Sequence, residues 1–356
     1  MKLRNKITHG VILEQHKEPA LSRNIIQFLN NTAPEKDIQR LSPERIEQVS
    51  ADKIIAIAQE AGIIDERDGR PLYKKLYKAA RRQVQMLVVD AMDDQPYISS
   101  QLGPLLGFKD EVEMGLKLAL KATGAEQGQI AVYKNLSDLE IKIPNNIKGI
   151  KVTRIGGKYP AELRLSKQLR VDVPYAIVGV CSLIHLYRAV YRGESQTTCF
   201  VTVAGNCVGY PTNLEVSLGM TLAQVLERCG LIANPTRVVV GGPMNGIAVM
   251  DTDMTLVSPT TRGVLAFRED EREQRYSCIG CGRCIAVCPR MLNPMHIYRC
   301  LQRGRYTMAD LFEPERCIGC GTCSYICPSK LPVAVTIHTY ARKKATEVTE
   351  IETDTP

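Results

Sequence analysis

Eight of the thirteen cysteines in this 356-residue chain lie in two short segments of similar sequence. Both segments have the pattern C-x2-C-x2-C-x3-C-P and are offset by 39 residues, with Cys278, Cys281, Cys284 and Cys288 in the first and Cys317, Cys320, Cys323 and Cys327 in the second. Thiolates at this spacing are typical ligands of cubane iron–sulfur clusters. Because paired clusters serve to move single electrons, the pattern predicts an electron-transfer protein with two 4Fe–4S clusters.

The shape of a cubane cluster predicts how the eight thiolates are shared. Three cysteines separated by two-residue gaps can reach three irons from one loop, whereas the cysteine before proline points away from that loop. In two-cluster proteins this fourth cysteine ligates the other cluster. We therefore predict one cluster on Cys278, Cys281, Cys284 and Cys327, and a second on Cys317, Cys320, Cys323 and Cys288.

Zinc and disulfides are the alternative uses of such cysteines. Zinc sites usually combine two Cys-x2-Cys pairs across a longer spacer, whereas each segment here places three cysteines at every third position. A disulfide framework is disfavoured because the sequence indicates a cytosolic protein. We assign no role to the five histidines and identify no catalytic residue. The five cysteines outside the two segments are interpreted as apolar filler in the core: Cys181, Cys199, Cys207, Cys229 and Cys300.

Composition narrows the remaining possibilities. Hydrophobic residues make up 44% and charged residues 24%, an ordinary globular mixture. The absence of Trp and the 5% aromatic content argue against a stacking surface for nucleic acid, and the net charge of +8 favours an acidic partner. The longest uncharged apolar stretch, Pro174 to Ile184, is about half of a membrane span. We predict a cytoplasmic protein, either free, peripheral to a membrane complex or inside a protein microcompartment.

Strands alternate with helices in the first half of the chain. Short apolar runs at Val84–Asp90, Ile130–Tyr133 and Ile150–Ile155 read as strands, and helical periodicity marks residues 112–124 and 183–190. This alternation predicts a parallel sheet covered by helices, an α/β domain over residues 42–196. Residues 1–41 have no clear period and are interpreted as an N-terminal extension.

Three further regions follow the α/β domain. Period-two strands around one short helix predict a small α+β domain of the β-grasp type over residues 197–266. Residues 267–345 hold the cysteine segments and two short helical stretches, at 295–302 and 308–312, which favours a mostly helical two-cluster ferredoxin-type domain. The acidic residues 346–356 are predicted to be a disordered tail.

This order of features resembles the RnfC component of the Rnf ion-translocating electron transport complex, together with related cobalamin reductases and a proline reductase-associated electron-transfer protein. The resemblance rests on Gly241-Gly-Pro-Met-Asn-Gly246 in the β-grasp (SLBB) region and on the two cysteine runs. It covers about residues 45–340. It implies a Rossmann-like α/β domain, similar to the flavin- and NADH-binding 51 kDa subunit of respiratory complex I.

The sequence departs from that family at three segments that serve flavin and NADH. The glycine-rich loop is replaced by Ile63-Ile-Asp-Glu-Arg-Asp-Gly69, the Glu-Cys-Glu segment by Asp93-Asp94-Gln95, and Tyr-Pro-x-Gly-Gly by Tyr159-Pro-Ala-Glu-Leu163. Acidic and bulky side chains there would repel or crowd a flavin phosphate. FMN and NAD(H) are therefore disfavoured as cofactors. The glycines at 156–157 and 241–246 match no nucleotide-binding motif and are interpreted as turns.

A basic run at residues 70–82 holds six Lys or Arg and no acid. It is interpreted as the solvated face of an amphipathic helix, and alternatively as a docking patch for acidic ferredoxin or flavodoxin. The main functional hypothesis is an electron-transfer subunit of an oxidoreductase rather than a stand-alone enzyme. A flavin-dependent NADH reductase and a ligand- or scaffold-binding module are the alternatives, and no nucleic-acid partner is expected.

Overall fold

The computed structural model describes residues 26–28, 49–134, 143–169, 172–268 and 275–353. Apart from residues 26–28, the predicted N-terminal extension lies outside the described residues. The chain divides into two compact units. The first contains the residues up to Gly156 together with 164–242 and 247–268, and the second contains 157–163, 243–246 and the chain from 269 onward.

The front of the first unit is a five-stranded sheet flanked by helices. Its strands are β2 to β6 and follow the order β4-β5-β3-β2-β6, with all neighbours parallel except the edge strand β4. The elements are β2 (Met86–Ala91), β3 (Gln127–Tyr133), β4 (Asn146–Ile147), β5 (Ile150–Ile155) and β6 (Tyr175–Gly179), with helices α1 (Ala51–Glu60), α2 (Leu72–Arg81), α3 (Leu102–Gly107), α4 (Lys109–Thr123), α5 (Leu165–Leu169) and α6 (Val180–Arg192). The predicted α/β fold is confirmed.

Local sequence explains where the long helices begin and end. The N-terminus of α4 carries Asp110 and Glu111, which complement the positive end of the helix dipole. Both α4 and α6 stop at a left-handed glycine, Gly124 and Gly193, with φ of 73° and 70°. Strand β6 is absent from the sequence prediction, because its residues share one uncharged apolar run with the start of α6 and periodicity cannot divide that run.

The second sheet forms the β-grasp domain predicted from the sequence. A hairpin is followed by a helix and by a strand parallel to the first, and the order is β1-β8-β7-β11-β9-β10. The elements are β1 (Ile26–Phe28), β7 (Thr198–Ala204), β8 (Thr212–Ser217), α7 (Leu222–Arg228), β9 (Arg237–Val240), β10 (Ile247–Val249) and β11 (Gly263–Phe267). Strand β1 adds parallel to β8 at one edge, so part of the predicted extension belongs to this sheet.

The second unit is helical. Its elements are α8 (Arg283–Val287), α9 (Pro294–Gln302), α10 (Tyr306–Asp310), α11 (Thr322–Tyr325) and α12 (Val333–Thr353). Helices α9 and α10 are the two predicted from the stretch between the cysteine segments. The last helix continues to Thr353, into the segment predicted to be a disordered tail. Its first turns are anchored by buried Val333, Ala334 and Ile337. No helix in the described ranges has the length and apolarity needed to cross a membrane.

A buried ion network joins the two sheets of the first unit. Arg188 of α6 contacts Glu215 of β8 at 2.5 Å (Nη1 to Oε1) and Glu111 of α4 at 2.8 Å (Nε to Oε2). The hydroxyl of Thr198 also donates to Glu215, at 2.6 Å. Because both Arg188 and Glu215 are buried, each depends on the other for compensation of its charge.

Removing Glu215 tests this network. We expect Glu215→Gln to destabilise the protein by about 3 kcal/mol, because it leaves the Arg188 guanidinium incompletely paired in a buried place. Anaerobic urea unfolding followed by circular dichroism measures the change. The matched control is Lys117→Ala, which removes an exposed pair with Glu113 and should cost less than about 1 kcal/mol. Equal losses in the two variants would contradict the assignment.

Candidate metal centres

The eight cysteines of the repeated pattern line two separate cavities in the second unit. One cavity is lined by Cys278, Cys281, Cys284 and Cys327. The other is lined by Cys288, Cys317, Cys320 and Cys323. Each cavity therefore receives three cysteines from one repeat and the last cysteine of the other repeat, the grouping that the sequence predicts for the two cluster ligand sets. We call them the first and the second cavity.

Short helices deliver the third and fourth cysteines of each repeat. Helix α8 begins after Gly282 and helix α11 begins after Gly321. Both glycines have the left-handed backbone conformation, with φ of 71° and 79°. The left-handed glycine turns the chain sharply after the second cysteine, so the third cysteine enters a helical turn. Cys288 and Cys327 then follow the end of that turn, one into each neighbouring cavity.

In both cavities the surroundings raise the pKa of a cysteine thiol and so disfavour four unbound thiolates in one cavity. Burial, then the neighbouring charges of Cys320 and Cys317, raises the pKa of Cys323 to about 12. In the first cavity burial raises the pKa of Cys284, while backbone N–H groups that donate to its sulfur oppose that change. Four thiolates in one cavity repel one another, so this donor set fits a positively charged iron–sulfur core that keeps the cysteines deprotonated.

The number and spacing of the cysteines agree with a cubane cluster. Each cavity is lined by four cysteines, and a cubane core binds four thiolates at four separate irons. Zinc sites usually combine two Cys-x2-Cys pairs across a longer spacer, whereas three of the four cysteines here come from one closely spaced run.

Two segments from earlier in the chain border the second cavity. The Lys158 ammonium donates to the carbonyl of Cys288 at 3.1 Å. The backbone of Met244 lies so close to Gly321 that a β-carbon at Gly321 would meet the Met244 carbonyl oxygen at 1.6 Å. The sequence interpretation of the glycine clusters at 156–157 and 241–246 as turns misses the contribution of these segments to the cluster unit. Their only signal in the sequence is the glycines themselves.

The remaining cysteines lie elsewhere. Cys181, Cys199, Cys207 and Cys229 are buried in the hydrophobic cores of the first unit, and Cys300 packs at the edge of the core of the second unit. Burial raises the pKa of Cys199 and of Cys229 to about 12, which makes them inert thiols. These positions agree with their interpretation as apolar filler.

Residues 63–69 place a carboxylate at the N-terminus of helix α6. Glu66 accepts hydrogen bonds from the backbone N–H of Cys181 (2.9 Å) and of Ser182 (3.1 Å) at the start of α6, and from the Ser182 hydroxyl (2.7 Å). Asp65 accepts from the N–H of Gly179 at 3.1 Å. The donors that a helix offers to a phosphate are therefore already satisfied.

The acidic residues of the second altered segment are also engaged internally. Asp93 accepts from the N–H of Gln101 (3.0 Å) and of Leu102 (2.8 Å) and pairs with Arg262 at 3.0 Å. Burial raises the pKa of Asp90, of Asp93 and of Glu66, and the charge of Asp65 raises that of Glu66 further. The backbone N–H groups at the starts of α6 and α3 are therefore bonded to carboxyl groups of the protein itself.

Comparison with known proteins agrees with the two domains that the geometry indicates. A family model described as the 4Fe-4S dicluster domain matches residues 277–331, and one described as the SLBB domain matches residues 200–248. Among solved structures, an NAD+-reducing [NiFe]-hydrogenase covers 87% of this chain and 66% of its own at 14% identity and a TM-score of 0.49, a similarity too low to carry an argument.

Three curated relatives are named as the C component of an ion-translocating complex. That of the Na(+)-translocating ferredoxin:NAD(+) oxidoreductase complex of Acetobacterium woodii is 28% identical over 74% of this chain and 64% of its own length. The proton-translocating counterpart of Clostridium ljungdahlii is 27% identical over 74% and 61%, and the C component of the ion-translocating oxidoreductase complex of Rhodobacter capsulatus is 26% identical over 75% and 54%. The chain thus spans about 54–64% of the length of these relatives. It is a homologue of the RnfC components of ion-translocating oxidoreductase (Rnf) complexes, with an SLBB domain followed by a 4Fe–4S dicluster domain.

Proposed function

We propose that this chain is an electron-transfer iron–sulfur subunit that passes single electrons through two 4Fe–4S clusters to or from a larger oxidoreductase complex. One cluster is held by Cys278, Cys281, Cys284 and Cys327, and the other by Cys288, Cys317, Cys320 and Cys323. Partner subunits of an ion-translocating complex are the expected redox partners, as the names of the relatives indicate. The chain itself supplies the path for electrons and makes or breaks no substrate bond.

One observation carries this proposal: the two cavities, each lined by four cysteines drawn three-to-one from the two repeats. The crossed fourth cysteine brings the two centres close together, because Cys284 and Cys288 lie at the two ends of one helical turn and face different cavities. Cys284 of the first cavity also contributes to the raised pKa of Cys323 in the second, which agrees with cavities that are neighbours. Two centres so near each other support single-electron transfer between them.

Single cysteine substitutions test the assignment. Anaerobically prepared protein should contain about eight irons and eight sulfides, and Cys281→Ala and Cys320→Ala should each lose about four of each, because each removes a ligand from one cluster. Iron and sulfide analysis measures the loss, and EPR of the reduced protein shows which cluster signal disappears.

The matched control is Cys300→Ala, which removes a partly buried cysteine of the same unit that lines neither cavity. It should keep the full iron content. A protein that binds zinc or no metal, or a control that loses as much iron as the cavity variants, would refute the proposal.

A flavin-dependent NADH reductase is the second candidate, because the names of the relatives include NAD(+). The buried carboxylates oppose it. Glu66 and Asp93 accept hydrogen bonds from the backbone N–H groups at the starts of α6 and α3. The Glu66 carboxylate also lies against Gly179, so closely that a β-carbon at Gly179 would be 2.1 Å from Glu66 Oε1. A phosphate could enter only by displacing these side chains.

Flavin reconstitution distinguishes the two candidates. We expect that protein incubated anaerobically with FMN and then desalted retains no stoichiometric flavin, and that NADH alone does not bleach the iron–sulfur absorbance. Dithionite should bleach the same sample, which shows that its clusters are intact and reducible. Retention of about one FMN per chain with NADH-dependent bleaching would establish the reductase instead.

A further inference from the structure

The positive charge of the cluster-binding region lies between two acidic flanks. Residues 275–345 contain eleven Lys or Arg and three Asp or Glu, a net charge of +8, whereas residues 269–273 and 347–354 together contain eight Asp or Glu and one Arg. Within this region residues 275–309, which hold the first cysteine segment and α9, contain six arginines and no acid. The field that a diffusing protein meets is thus positive around the cysteines of the first repeat.

The two repeats differ at the positions that flank their cysteines. Arg283 in the first repeat corresponds to Thr322 in the second, at the offset of 39 residues. Arg283 is exposed and lines the first cavity, whereas the Thr322 hydroxyl is directed inward, 3.5 Å from Cys320 Sγ and 3.9 Å from Met244 Sδ. The first repeat therefore presents a charge to solvent where the second makes an internal contact.

The cysteines of the two cavities differ in exposure. Cys281 of the first cavity is exposed, while Cys288 and Cys323 of the second are buried. In the second cavity Lys158 also contacts the Cys288 carbonyl, and the Met244 backbone lies against Gly321. A protein that approaches from solvent therefore meets a cluster ligand, Cys281, at the first cavity.

The rim of the first cavity combines cations with exposed apolar groups. The N–H of Tyr276 donates to the carbonyl of Ser329 at 3.2 Å, and Ser329 lines the first cavity. Arg275 and Lys330 are the chain neighbours of these two residues, so the hydrogen bond keeps both cations near that cavity. Arg283 is the third cation of this rim. Among them Tyr276 and Ile279 are 58% and 68% exposed. A small apolar centre within a charged rim is typical of transient protein interfaces.

We infer that the first-cavity rim, formed by Arg275, Tyr276, Ile279, Arg283 and Lys330, is the docking surface for an acidic soluble electron-carrier protein. This inference rests on the proposed function, because it supplies the route by which electrons reach or leave the first cluster. The two clusters do not cancel the positive charge of this part of the chain. Four thiolates with a dipositive core carry about −2 for each cluster, while the six arginines of residues 275–309 carry a formal +6.

The basic helix α2 is the competing surface, and its contacts make it the weaker candidate. Lys75 is paired with Asp65 at 2.6 Å and with Asp68 at 3.3 Å, so its charge is directed into the first unit. Lys74 and Lys78 remain exposed on that helix. None of the cysteines that line the two cavities is on α2.

Charge reversal distinguishes the surfaces. The probe is a reduced, strongly acidic two-cluster bacterial ferredoxin mixed anaerobically with the cluster-loaded full chain in a stopped-flow instrument. Arg275→Glu/Arg283→Glu should slow the second-order rate by roughly tenfold or more at low salt, and the difference should shrink at high salt. Two equal charge changes on other exposed sites serve as controls: Arg303→Glu/Arg305→Glu and Lys74→Glu/Lys78→Glu. Each should slow the rate less than about threefold.

Further readouts separate docking from damage to the cluster. Iron content, EPR spectra and midpoint potentials of the variants are measured, and reduction by photochemically generated deazaflavin radical should proceed at the wild-type rate in all of them. An intact, reducible Arg275→Glu/Arg283→Glu protein with an unchanged ferredoxin rate overturns the inference. An equal or larger effect of Lys74→Glu/Lys78→Glu also overturns it and places docking on α2. Absence of iron–sulfur clusters from the wild-type chain refutes the proposed function instead.

Discussion

The structure of the second unit depends on one constraint: each repeat must give its last cysteine to the cavity of the other. A loop with three closely spaced cysteines can surround only part of a cube, and the fourth corner must be reached from elsewhere. The left-handed glycines before α8 and α11 turn the chain into a short helix, and that turn separates Cys284 from Cys288 and Cys323 from Cys327 between the cavities. The helices around the cavities serve to keep the two repeats in this crossed arrangement.

Most of the site can be predicted from the sequence because the relevant information is local. Cysteine spacing, the glycines between the cysteines and the prolines after them all lie within two stretches of twelve residues, and they determine which thiols can reach one cube. The parallel sheet is also predictable, since strands such as β2 are continuous apolar runs. Strand β6 is not, because one uncharged apolar run covers both the strand and the start of α6, and Gly179 alone marks the boundary between them.

Other features could not be predicted because they depend on contacts between distant residues. Nothing near Lys158 indicates that its ammonium meets the carbonyl of Cys288, 130 residues later. The acidic side chains of Glu66 and Asp93 predict repulsion of a flavin phosphate, but the sequence does not show what these carboxylates contact. In the structure both accept hydrogen bonds from backbone N–H groups at helix N-termini, Glu66 from Cys181 and Asp93 from Leu102.

The cluster-binding unit is discontinuous along the chain. Residues 157–163 and 243–246 belong to it although they precede the cysteines, with Lys158 lying 130 residues before Cys288. A fragment that begins at residue 269 would lack the Lys158 contact to the Cys288 carbonyl and the Met244 backbone beside Gly321. The boundaries of this unit in space therefore differ from those of the cysteine-rich segment in the sequence.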